Sequence, residues 1–116
     1  MLKRFFIAIV LFGAAGSVTA ADLGSSHRSF CVGFSDSNIL LMPEDDLAVT
    51  ILRFRDEARA ARESERVVAS RRPAFTWAVS AELQCNISLG YMDGGHVDPV
   101  STQKCDCFHS RMLGFM

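Results

Sequence analysis

The 116-residue sequence predicts a small all-α domain, a helical bundle of about three helices stapled by two disulfides. Three observations predict it. Residues 44–70 hold neither Gly nor Pro and carry apolar side chains at helical spacing. Residues 74–92 form a second helical pattern, bounded by Pro73 and by the turn Asp93-Gly94-Gly95. The four cysteines, Cys31, Cys85, Cys105 and Cys107, all lie behind an export leader, where an even number is most simply paired.

The leader is Met1 to Ala20. Lys3 and Arg4 supply positive charge, Phe5 to Ala15 is an apolar run, and Val18-Thr19-Ala20 offers the small residues that a signal peptidase reads. The run is shorter than the roughly 20 residues needed to cross a bilayer. Residues 1–20 therefore read as a secretory signal peptide and 21–116 as one small helical domain, with 21–29 a loose polar tail. No second stretch approaches membrane length, and no cysteine follows the cleavage site to take a lipid. The expected location is periplasmic or secreted. Without Lys3 and Arg4 the chain holds ten basic against 13 acidic residues, a balance of −3. Nucleic acid is a poor partner for such a chain.

Residues 30–42 open on a compact apolar group, Phe30-Cys31-Val32-Gly33-Phe34. Ser35-Asp36-Ser37-Asn38 has turn chemistry, and Ile39 to Met42 reads as a short strand or as the lead into a helix. The first helix begins at Pro43, with Glu44, Asp45 and Asp46 at the positive end of its dipole. Leu47, Ile51, Phe54, Ala58 and Ala61 form its apolar stripe, and the helix is expected to reach about Ser70. Arg72, ahead of Pro73, marks the break. In the second helix Phe75, Ala78, Val79, Glu82, Leu83, Asn86, Ile87 and Gly90 share neighbouring rows, while Trp77, Ala81, Cys85 and Leu89 cover the adjacent face. Both faces are expected to be buried, which makes this the central helix. Asp98 and Pro99 start the third helix, which runs to about Met112, with Gly114 placed to end it.

Four cysteines allow three pairings. Residues two apart on a helix point about 200° apart, which disfavours a Cys105–Cys107 bond. Cys85 and Cys105 flank the turn at Gly95 at equal distance, which favours Cys85–Cys105 with Cys31–Cys107. The crossed pairing stays open, because Cys107 is only half a turn further on.

The same segment admits a metal-handling alternative. Cys105, Cys107 and His109 form C-x-C-x-H, whose sulfur and imidazole donors suit copper(I) or zinc. The spacing is wrong for ligands sharing a helical face, and an oxidising compartment consumes thiols. A redox role is disfavoured by the lack of a C-x-x-C at a helix start.

His27 lies in the polar tail. His96, with Asp93 and Asp98, could be drawn as an acid/base cluster, but Asp98 already has a capping role. No nucleophile elbow and no phosphate loop are present. The chain is therefore expected not to be an enzyme, and no cofactor is expected. Asn86-Ile87-Ser88 matches a glycosylation sequon inside a helical pattern, where it is expected to be fortuitous.

Arg55, Arg59, Arg62 and Arg66 recur at i, i+4, i+7 and i+11, a basic row about 90° from the apolar stripe. Arg53, Arg71 and Arg72 add to it, against Asp56, Glu57, Glu63 and Glu65. One reading is a solvated face with local pairs such as Asp56–Arg59 and Arg59–Glu63. The other is a docking surface for an acidic partner, an anionic polymer or a lipid head group. Phe30 to Phe34 and Leu89 to Gly94 each resemble the cysteine-aromatic-glycine pattern of small periplasmic immunity proteins that block secreted amidases. The two placements are rivals, so no family is assigned and no residue role is carried over. The expected function is an exported, non-enzymatic interaction protein with a partner in the cell envelope or outside the cell, such as an inhibitor, immunity factor or secretion-system accessory.

Overall fold

A computed structural model describes Cys31 and residues 37–116. The expected leader (1–20), the tail 21–29 and His27 lie outside the described residues. A 3-10 turn, Ile39–Leu41, leads into α1 (Glu44–Glu63). A short helix α2 (Glu65–Ala69), the central helix α3 (Ala74–Asp93) and α4 (Pro99–Gly114) follow. The described residues form no strand, so Ile39 to Met42 resolves as the lead into a helix.

The expected stripe of α1 is its buried face: Leu47, Ile51, Ala58 and Ala61 are inside, with Phe54 partly so. The helix ends earlier than the pattern suggested. Ser64 takes extended angles (φ −74°, ψ 121°) and splits the segment. On an unbroken helix Val67 would point about 240° away from Ala61, toward water. The break at Ser64 re-aims the chain, and Val67 is buried.

α3 packs against both α1 and α4, which touch each other less. Its buried face carries Ala74, Trp77, Ala78, Ala81, Cys85 and Ser88, and Ala58 and Ala61 of α1 share one core cluster with Trp77, Ala78, Ala81, Phe108 and Met112. Alanine on both sides lets two helices approach closely. A second cluster, Ile39, Leu47, Ile51, Cys85 and Cys105, fills the other end. At the turn between α3 and α4, Gly95 holds φ 79°, a backbone angle that side chains resist. Asp98 then caps α4 by accepting the Ser101 N–H at 2.9 Å, with Pro99 behind it.

Both disulfides take the favoured pairing. Cys85–Cys105 ties α3 to α4 with the Cα atoms 4.7 Å apart. Cys31–Cys107 ties Cys31 to α4, with Cα atoms 5.8 Å apart. Ser37 repeats that tether by donating its hydroxyl to Asp106 at 2.7 Å.

Candidate interaction surface

The arginine row does not stay one line. Arg55 turns to its neighbour Asp56, at 2.9 Å. Arg59 and Arg62 reach across to α3 and both donate to Glu82, Arg59 at 3.0 Å. Arg66 stands beyond the Ser64 break on α2, beside Val67, Arg72 and Phe115. The structure thus brings Arg59 and Arg62 together and leaves Arg55 and Arg66 apart from them. The local pairs Asp56–Arg59 and Arg59–Glu63 give way to Arg53–Glu57 at 3.2 Å, Arg55–Asp56 and Arg62–Glu63 at 3.6 Å. Arg62 and Arg59 hold the Glu82 carboxyl below its ordinary value, Arg62 most strongly, against a desolvation that would raise it.

His109 is buried, and its role is in the core. Its ring stacks on Phe54 with centroids 3.9 Å apart and planes 14° from parallel. Its Nε2 lies at hydrogen-bond distance from Glu57 Oε2. An ionised Glu57 can only accept, so Nε2 carries the proton. Burial pushes the Glu57 carboxyl up, but the hydrogen bonds from His109 and Arg53 outweigh it and keep the group below its ordinary value.

The C-x-C-x-H donor set is not assembled. Both sulfurs are in disulfides and the imidazole faces Glu57. Among the described residues no group of three or more His, Cys, Asp or Glu side chains could hold a metal ion. Two of the acid/base residues have other partners. Asp98 is engaged by Ser101, whose side chain and backbone lower its carboxyl, and His96 sits edge-on to Tyr91 with ring centroids 5.8 Å apart.

The larger correction concerns α3. Its two faces are not both buried. Phe75, Val79, Leu83, Ile87 and Tyr91 are between 39% and 56% exposed, and Asn86 also faces water rather than the bundle. The physical reason is the helix count: α1 and α4 cover one arc of α3, and no described element covers the opposite one. These five residues fall at i, i+4, i+8, i+12 and i+16, a single surface ridge. From Ala74 to Met92 the only charged side chain is Glu82, at the border with α1 and already held by Arg59 and Arg62. The outer face of α3 is thus an uncharged apolar ridge with an ion-pair cluster along one side.

Compared with known protein families, curated proteins and solved structures, the chain matches none of them.

Proposed function

We propose that the chain is an exported, non-enzymatic interaction protein, periplasmic or secreted, that engages a partner through the outer face of α3. The observation that carries this reading is the ridge from Phe75 to Tyr91: five large apolar side chains in one uncharged line, on a helix fixed from behind by two neighbours and a disulfide. Contiguous apolar surface of this kind marks interaction sites in soluble proteins. Arg59, Arg62 and Glu82 form a polar border of the type that rims an interface core. The arginine row contributes to docking through this border, by Arg59 and Arg62.

Export is supported by the leader-like residues 1–20 together with two disulfides that fit an oxidising compartment. No helix among the described residues is long and apolar enough to cross a membrane. The non-enzymatic reading draws on the tasks already assigned to the reactive side chains: His109 and Glu57 serve the core, and Asp98 serves a cap. An inhibitor, an immunity factor or a secretion-system accessory would each act through such a face.

Cross-linking in the native compartment, followed by mass spectrometry, tests this. The wild type is expected to yield a stoichiometric adduct through α3, and Leu83→Arg is expected to lose it. An adduct that survives Leu83→Arg unchanged contradicts the reading.

A further inference from the structure

We infer that the occupant of the α3 face is a second copy of this chain, docked antiparallel about a two-fold axis near Leu83. The inference rests on the proposed docking role of α3 and names the partner.

The order of residues along the ridge argues for it. Read from either end, the row is aromatic, β-branched, leucine, β-branched, aromatic: Phe75, Val79, Leu83, Ile87, Tyr91. A two-fold axis through its midpoint places Leu83 beside the partner's Leu83, Val79 beside the partner's Ile87 and Phe75 beside the partner's Tyr91. A two-fold interface requires such self-complementarity, with each residue meeting its counterpart reciprocally. Rows at i±4 are the ridges that interdigitate when two helices cross at about −50°. The row curls around α3 over about 24 Å, so its ends turn away from the contact plane. The two aromatics stand at those ends, where the longest side chains are needed to reach across.

Charge permits the pairing. Two copies of a lysine- or glutamate-bearing face would repel, but this one carries only Glu82, neutralised at its border by Arg59 and Arg62. Gly90 adds an independent observation. It lies seven residues from Leu83 on the same side of the helix. A Cβ built there meets no atom within 4 Å, so packing within this chain does not require a glycine. A glycine inside a helix costs roughly 1 kcal/mol against alanine. Beside the crossing, the space it leaves can take a side chain of the partner. Five half-exposed side chains on one helix offer less than the roughly 800 Å² per partner of a standard interface. The expected dimer is therefore a weak one.

Sedimentation equilibrium of the oxidised protein, from micromolar to millimolar concentration, tests this. The wild type is expected to pass from monomer to dimer. Leu83→Arg should weaken dimerisation by more than about tenfold, as for a central contact, without lowering Tm. Val79→Asp and Ile87→Lys should each weaken it, and the double variant should recover, because each new charge then faces its opposite on the other copy. Gly90→Ala should raise Tm while weakening association. A monomer at every concentration overturns the inference. If a different protein is still captured through α3 in the native compartment, the docking role survives that result; if nothing is captured, both fall. Dimerisation without recovery in the double variant overturns the antiparallel register.

Discussion

Glu82 is the only charged side chain between Ala74 and Met92, and two arginines of another helix hold it. Its environment sets two expectations. The pair Arg59→Gln/Arg62→Gln should lower Tm by several degrees, whereas Arg55→Gln/Arg66→Gln should leave it nearly unchanged, since neither of those arginines ties two helices together. Thermal unfolding followed by circular dichroism separates the two pairs. Glu57 and Glu82 both have folded pKa values below the ordinary 4.5. A depressed carboxylate contributes stability that is fully present above that value and is lost as the pH falls through the folded value. Tm should therefore drop as the pH is taken to the acidic side of 4.5, and Glu82→Gln should show a lower Tm near neutrality with a shallower acid drop. Ser88 and Thr102 make a third residue-level case: their hydroxyls meet at 2.7 Å with both residues fully buried. Ser88→Ala leaves the Thr102 hydroxyl without that partner and should cost about 1–3 kcal/mol, while Ser88→Ala/Thr102→Val should recover much of the loss. Urea denaturation reads both.

The helices were legible where one physical rule governed them. The acidic first turn of α1, the Asp98-Pro99 start of α4 and the Leu47-to-Ala61 stripe all follow from capping and periodicity, and all form. The Ser64 break was hidden because its cause is tertiary: Val67 is drawn inward, and no local proline or glycine announces it. The Glu82 clamp joins residues 20 and 23 positions apart, beyond any helical spacing rule. The ridge on α3 was visible as a pattern but assigned to the wrong environment. A helix apolar on every side is normally buried all round, and only the count of neighbouring helices shows that this one keeps an open face. The Cys85–Cys105 pairing could be argued from the hairpin because both cysteines lie at equal distance from its turn. The close α1–α3 contact rests on alanine, so Ala78→Leu should overpack it and cost about 1–3 kcal/mol, measurable by urea denaturation.

Among the described residues the bundle is held by two disulfides, an alanine-lined α1–α3 contact and a second apolar cluster at the other end. The loops closed by the disulfides differ: the sequence separation is 76 for Cys31–Cys107 and 20 for Cys85–Cys105. Chain entropy alone makes removal of the longer loop's tie the costlier by about 1 kcal/mol. Urea denaturation of Cys31→Ala/Cys107→Ala and Cys85→Ala/Cys105→Ala should rank them in that order. With its back so constrained, α3 holds its outer ridge in a fixed shape and presents it without an ordering cost, which is what a preorganised binding surface requires. The most direct measurement of that surface is a photo-crosslinking scan in the native compartment, with the probe placed in turn at Val79, Leu83 and Ile87 on the ridge and at the exposed Ala60 on α1. Adducts at the three ridge positions and none at Ala60 are the predicted result. Equal yields at all four positions, or adducts at Ala60 alone, would contradict it.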